Sequence, residues 1–229
     1  MIDVTTWNDS VYGAAPTPWR VYAPQHDTEL LARALDREQV SAGAAVLDVG
    51  TGAGALALAA ARRGADVTAV DRTYRAVLAT RFNARVARLP VEVLHGDLFG
   101  PVAGRRFDLV VSNPPYVPAP GPLPRRHHAA VAWDAGADGR LLVDRICRRA
   151  HTSLGPGGVL LLVHSALCGI APTLAALERS GLEARVTDRQ LVPFGPVLRS
   201  RRSWLRERGL VGAGEENEEL VIIRAERIR

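Results

Sequence analysis

Ala45-Val46-Leu47-Asp48-Val49-Gly50-Thr51-Gly52-Ala53-Gly54, running on into the alanine-rich stretch 55–63, is the passage that decides the fold. A short apolar run of strand length enters a turn with glycine at every second position. The residues after it are strong helix formers, and Gly64 stops them. Strand, glycine turn and helix then recur as a rhythm. Residues 67–70 read as a strand ending at Asp71, and 73–88 as a helix capped by Thr73. Residues 91–94 read as a third strand before Gly96-Asp97-Leu98-Phe99, and 107–112 as a fourth. Beyond a proline-rich loop come a helix at 138–153, the turn Gly155-Pro156-Gly157-Gly158 and a strand at 159–163. A helix at 170–180, an extended segment at 182–191 and a last strand at 219–226 complete the chain. Upstream, Leu30, Leu31, Ala34 and Leu35 repeat at helical spacing, with Asp27 or Thr28 as N-cap and Ser41-Ala42-Gly43 as the stop. Strands alternating with helices through short loops predict an α/β fold, a doubly wound and mostly parallel sheet. Residues 1–24 read as an irregular lead-in carrying Trp7, Tyr12, Trp19 and Tyr22, and 25–229 as a single domain.

The 229 residues suffice for one domain with a full core, and 47% apolar content is ordinary for a globular protein. No apolar run reaches the roughly 18 residues of a membrane span, and no secretory leader is seen. A cytoplasmic protein is expected. Cys147 and Cys168 have neither metal-ligand spacing nor a disulfide framework, so two reduced thiols and no metal are expected. The formal net charge is +5, and all 29 basic residues are arginine. Such a bias is compositional, so the position of the arginines says more about partners than their number.

The glycine turn lets backbone approach a ligand where any Cβ would clash. Asp71 ends the second strand about 20 residues later, where an acidic side chain accepts ribose hydroxyls. The spacing is Gly-x-Gly-x-Gly, with Gly50, Gly52 and Gly54, rather than the Gly-x-Gly-x-x-Gly of dinucleotide sites. Asp97, after the third strand, suits the exocyclic amine of an adenine. Asp48, just before the turn, would repel a pyrophosphate but attract an ammonium group. A nucleoside with a cationic amino-acid end fits all three carboxylates, which points to S-adenosylmethionine.

Ser112-Asn113-Pro114-Pro115-Tyr116 closes the fourth strand. The two prolines stiffen the backbone, and an Asn before proline is driven to an extended conformation. Its side chain then stands at the strand end, where open α/β sheets bind ligands. The Asn113 side-chain oxygen and the Pro114 carbonyl can accept the two N–H groups of an amide or aryl amine. That favours positive charge growing on the nitrogen during methyl transfer. Tyr116 and Pro115 supply an aromatic wall and rigidity beside the planar group.

Residues 46–54 resemble the first motif of class I S-adenosylmethionine-dependent methyltransferases. Residues 107–118, with Asn-Pro-Pro-Tyr at their centre, resemble the signature of the protein-(glutamine-N5) methyltransferases that modify peptide chain release factors. Trp133-Asp134-Ala135-Gly136-Ala137-Asp138-Gly139 is similar to that family's following acidic-glycine motif, with Ala135 where a second glycine is usual. Val21-Tyr22-Ala23-Pro24 and Asp27-Thr28 resemble the lead-in of its short branch, which has no N-terminal helical domain; Gln25-His26 departs from the usual Ala-Glu. The resemblance implies a Rossmann-like seven-stranded sheet with an antiparallel last strand. It implies that Thr28, Asp48 and Gly50 meet the methionine end of the cofactor, Asp71 the ribose, and Asp97 with Leu98 the adenine. It places Asn113 beside the methyl group. A release factor is then the expected substrate, and a small zinc-binding activator at the edge of the sheet, on residues 91–94, a possible partner.

Asn-Pro-Pro-Tyr selects a nitrogen, not a molecule, so a protein lysine, a nucleic-acid amine or a small metabolite stays open as acceptor, as does a non-catalytic cofactor-binding module. Nucleic acid is not favoured, although Arg199–Arg208, between the last two strands, would sit at the same sheet end as Asn113 and face a polyanion there. Arg125-Arg126-His127-His128 follows the proline motif without a chemical role of its own.

Overall fold

Seven strands form one sheet in the order β3-β2-β1-β4-β5-β7-β6. The coordinates are a computed structural model that describes residues 26–121 and 129–228. The lead-in 1–24 with Gln25, and Arg125-Arg126-His127-His128, lie outside the described residues. In chain order the elements are α1 (His26–Arg37), β1 (Ala45–Val49), α2 (Ala55–Ala61), β2 (Asp66–Asp71), α3 (Tyr74–Ala87), β3 (Val91–His95) and β4 (Phe107–Ser112). Then come α4 (Leu141–Arg149), β5 (Leu154–Ser165), α5 (Ile170–Arg179), β6 (Leu182–Pro193), α6 (Pro196–Glu207) and β7 (Asn217–Arg227). The pairs β1–β2, β1–β4, β2–β3 and β4–β5 are parallel, while β7 runs antiparallel to both β5 and β6. The antiparallel last strand and the edge position of β3 agree with what the resemblance implied.

The central strands are apolar at nearly every position because both faces are covered. One face packs Val46, Leu109, Val111, Leu161 and Val163 against α1 and α2. The other packs Leu47, Val110, Leu160 and Leu162 against α4 and α5. At ~25 cal/mol per Å² of apolar surface removed from water, these two layers are the main source of stability.

Three expectations need correction. Asp27 and Thr28 are not N-caps: α1 begins at His26, so both lie in its first turn, and both are buried. The helix expected at 138–153 is shorter. Gly139 takes φ +72°, Asp138 Oδ1 accepts from the Arg140 N–H at 3.0 Å, and helix starts only at Leu141. The strand expected at 159–163 extends from 154 to 165, because Gly155-Pro156-Gly157-Gly158 continues the pairing through a register shift opposite Phe107–Leu109 instead of turning away. Gly158 is required there, since a Cβ would stand 2.9 Å from the Phe107 carbonyl oxygen.

Candidate active site

Every parallel strand points its carboxyl end to one side, and the glycine turn between β1 and α2 opens a cavity of about 800 Å³ there. Small-molecule sites span roughly 300–1,000 Å³. Gly50, Gly52 and Gly54 have φ of 78°, 57° and 89°, a region side chains disfavour. At Gly54 a Cβ would also meet Thr80 Cγ2 at 2.8 Å. The turn is braced from β2, where the Val70 carbonyl accepts from the N–H groups of Gly50 (2.8 Å) and Thr51 (3.1 Å). It is braced again from α3, where Thr80 Oγ1 donates to the Gly52 carbonyl at 3.0 Å and Asn83 Nδ2 to the Ala53 carbonyl at 2.9 Å. Both α3 residues are buried polar groups on the inner face of an otherwise ordinary helix. Polar residues at core positions of 73–88 are the sequence signal of this brace.

Asp71 lines the cavity and is held in place. Its Oδ2 accepts from the Gly52 N–H at 3.1 Å, and its Oδ1 from Thr73 N–H at 2.8 Å and Thr73 Oγ1 at 3.0 Å. Burial raises its pKa, against the lowering effect of those hydrogen bonds. Each carboxylate oxygen keeps further acceptor capacity for a ribose hydroxyl. Thr73 also caps α3, accepting from the Ala76 N–H at 3.3 Å, as the sequence indicated.

Asp48 sits beneath the turn rather than on the cavity wall and is 1% exposed. Its Oδ2 accepts from Thr51 Oγ1 at 2.7 Å and from the Ala57 N–H at 3.1 Å. Burial pushes its pKa up to about 7, and Asp71's charge adds to the rise. Its Oδ1 is buried without a partner among the described residues. A buried acceptor left unbonded costs free energy unless a ligand or water meets it, so this oxygen fits a cationic cofactor group nearby.

At the other end of the cavity lie His95, Asp97 and Leu98. Tyr74, also on the cavity wall, stacks on His95 with ring centroids 3.7 Å apart. Leu98 adopts φ +50°, a left-handed conformation worth noting in a residue without local hydrogen-bonding capacity. Asp97 forms an ion pair with Arg145 of α4 and is half exposed.

The Asn-Pro-Pro-Tyr segment separates this cavity from a second cleft of about 40 Å³. Asn113, Pro114, Pro115 and Ala132 line both, while Asp27, Tyr116, Val117 and Trp133 line the cleft alone. Asn113 Nδ2 donates to Thr28 Oγ1 at 3.2 Å. Its Oδ1, like the Pro114 carbonyl oxygen, carries no hydrogen bond among the described residues. Tyr116 donates its hydroxyl to Asp27 Oδ2 at 3.1 Å. Asp27 Oδ1 accepts from Thr28 N–H (2.6 Å) and Thr28 Oγ1 (3.3 Å). The first turn of α1 is thus wired to the segment that ends β4. The sequence marks Thr28 for the cofactor, and Asp27 only as a candidate N-cap and as part of the lead-in motif.

The acidic-glycine motif packs alongside. The Val117 N–H donates to the Trp133 carbonyl at 2.8 Å and the Ala135 N–H to the Val117 carbonyl at 3.1 Å, a parallel bridge centred on Val117 and Asp134. Gly139 is jammed against the segment: a Cβ there would lie 2.3 Å from the Tyr116 carbonyl oxygen. That same oxygen accepts from Cys168 Sγ at 3.0 Å. Both cysteines are buried, and desolvation pushes each thiol up to about 12, which removes them from nucleophilic chemistry. Helix α6 stands at this end of the sheet, as expected. Arg201 ties it down, donating to the Pro118 carbonyl at 3.0 Å and pairing with Asp134 at 2.7 Å. No group of three or more metal-ligating side chains exists among the described residues.

Fold and site together define a class I S-adenosylmethionine-dependent methyltransferase. The family model of the methyltransferase small domain matches residues 23–123. A putative protein N5-glutamine methyltransferase of Methanocaldococcus jannaschii is 32% identical over 180 residues, 78% of this chain and 89% of that protein. A release factor glutamine methyltransferase of Geobacter sulfurreducens is 38% identical over 149 residues, 62% of this chain but 52% of that longer protein. Among solved structures, the E. cuniculi Mtq2–Trm112 complex, responsible for methylation of the eRF1 termination factor, superposes with a TM-score of 0.64 at 25% identity, covering 90% of this chain and 98% of that one. The chain belongs to the protein N5-glutamine methyltransferase family.

Proposed function

We propose that this protein moves the methyl group of S-adenosylmethionine to the side-chain amide nitrogen of a glutamine in a peptide chain release factor. One observation supports this most: two acceptors without partners among the described residues, Asn113 Oδ1 and the Pro114 carbonyl, belong to the segment that lines both the large cavity and the small cleft. An amide nitrogen is a weak nucleophile because its lone pair is delocalised. Holding both its hydrogens favours the geometry in which positive charge builds on nitrogen. The carbon–sulfur bond breaks as the nitrogen–carbon bond forms, and the cationic product then loses a proton. Positioning therefore does most of the work.

In the cofactor cavity, Thr28, the Gly50–Gly54 turn and the orphan oxygen of Asp48 would receive the methionine end. Asp71 would take the ribose, and Asp97 with Leu98 the adenine. The names of the relatives favour a release factor over other acceptors. Helix α6 is a poorer case for nucleic acid, since Arg201 and Arg202 are spent on Asp134 and Glu216.

A small partner at the β3 edge belongs to the same proposal. Among the described residues β3 pairs only with β2, and α3 beside it exposes Tyr74, Leu78, Phe82 and Val86 at four-residue spacing. Such a row beside an edge strand suits a protein that extends the sheet. A cytoplasmic location is part of this reading, and no described helix is long and apolar enough to cross a membrane.

The test is transfer of labelled methyl from S-adenosylmethionine to a purified release factor and to the same factor with its Gly-Gly-Gln glutamine replaced by alanine. Label on the first alone is expected. Equal label on both, or label only on ribosomal RNA or a lysine peptide, would overturn the proposal.

A further inference from the structure

We infer that Asp27 is the positioning residue of the acceptor cleft: it fixes which way the Asn113 carboxamide faces, through a chain of donors that all point toward it. The inference rests on the methyl-transfer reading above. Asn113 Nδ2 donates to Thr28 Oγ1, and Thr28 Oγ1 donates in turn to Asp27 Oδ1. The Thr28 N–H donates to that same oxygen at 2.6 Å, and Tyr116 Oη donates to Asp27 Oδ2. An ionised carboxylate only accepts, so every link has one possible direction. A hydroxyl that gives its proton to Asp27 must receive from Asn113. The amide end of Asn113 is thereby turned to α1, and its oxygen is left for the substrate.

The surroundings hold this hub still. Asp27 is 5% and Thr28 8% exposed, and both lie in the first turn of α1, where the helix dipole favours a negative charge. Asp27 also lines the cleft with Tyr116 and Trp133. One residue thus orients the acceptor through Thr28 and the aromatic wall through Tyr116. An asparagine in its place has almost the same shape but presents one donor and one acceptor. Either Tyr116 or Thr28 must then reverse its hydroxyl, and a reversed Thr28 would favour the carboxamide turned over.

Asp27→Asn is compared with wild type in two backgrounds, native and Asn113→Ala. In the native background, turnover falls roughly tenfold or more, as small misplacements of a reacting group do, while the dissociation constant for S-adenosylmethionine stays within about threefold. In the Asn113→Ala background the same substitution costs markedly less turnover, because there is no carboxamide left to orient and only the hold on Tyr116 remains to be lost. Equal losses in both backgrounds, or no loss in the first, overturn the inference. Asp27 is buried, so Thr28→Val, which cuts the chain one link earlier, serves as the second variant: turnover is expected to fall about fivefold in the native background and by less in the Asn113→Ala background. An arm that needs no acceptor follows the side-chain amide signals of Asn113 in a proton–nitrogen spectrum of the full chain. They shift in both variants if Asp27 sets the carboxamide, and unchanged signals overturn the inference. Should wild type transfer nothing to the Gly-Gly-Gln peptide, the substrate proposal fails while the spectrum still decides the role of Asp27.

Discussion

Replacing Asn113 by alanine removes one of the two acceptors proposed for the reacting nitrogen and leaves the other, the Pro114 carbonyl, in place. The hydrogen bond in question is made to a nitrogen that gains positive charge only as the methyl group arrives. A charge-assisted bond contributes roughly 1.5–3 kcal/mol, and at about 1.4 kcal/mol per decade that is about 10- to 150-fold in turnover. The surface proposed for the cofactor is much larger: beside Asn113, residues of the glycine turn, Asp71 and the His95–Leu98 end lie on the same cavity wall. Its dissociation constant therefore moves by no more than about threefold, within the scatter of an independent site. Single-turnover methylation gives the rate, and calorimetric titration with S-adenosylhomocysteine gives the affinity. Thr28→Val refines the result. It keeps the acceptor but removes its holder, whose hydrogen bond is worth roughly 1 kcal/mol, so about a fivefold loss is expected. A turnover within threefold of wild type for Asn113→Ala, or a parallel collapse of affinity and rate, would refute the role given to Asn113.

Three further outcomes are expected. Glu218, on β7, is buried, and desolvation with the nearby charge of Asp27 pushes its pKa up to about 7. A raised carboxyl pKa favours the folded state below about pH 4.5, and that advantage is lost between 4.5 and 7. Glu218→Gln should therefore be more stable than wild type at pH 8 by up to about 3 kcal/mol and lose the advantage near pH 4, as paired thermal melts would show; the reverse order would contradict the assignment. Gly139→Ala adds a Cβ 2.3 Å from the Tyr116 carbonyl oxygen at φ +72°, whereas Gly181→Ala, at φ +79°, meets nothing within 4 Å. The second should cost only the left-handed conformation, roughly 1 kcal/mol, and the first at least about 3 kcal/mol; equal melting temperatures would count against the packing described. Asp71→Asn should weaken S-adenosylmethionine binding about tenfold or more with little change in saturated turnover, since a charged acceptor for ribose is lost; an unchanged dissociation constant in titration would remove Asp71 from the site.

The fold was legible because its signals are local. A strand, Gly50-Thr51-Gly52-Ala53-Gly54 and an alanine helix declare a parallel α/β unit in one glance, and the strand-end acids follow from the same rhythm. Thr73 as a cap could be read because capping needs only its own turn. The misread places depend on distant partners. Gly155-Pro156-Gly157-Gly158 looks like a turn until Phe107 is known to lie opposite. Asp27 looks like a cap until Tyr116, 89 residues away, is seen to donate to it. Thr80 and Asn83 acquire meaning only when α3 is packed against the glycine turn. Asp48 shows the same limit in reverse: the sequence picks it out, but only the structure shows it beneath the turn with one oxygen unmet.

The central claim is that the nitrogen held by Asn113 and Pro114 is a glutamine amide of a release factor. Tandem mass spectrometry of that factor, digested after incubation with the enzyme and S-adenosylmethionine, tests it most directly. The account predicts one added methyl mass, located by fragment ions on the side chain of the Gly-Gly-Gln glutamine and absent when Asn113→Ala replaces the wild-type enzyme. An unmodified glutamine alongside a methylated lysine, nucleotide or other acceptor would contradict it.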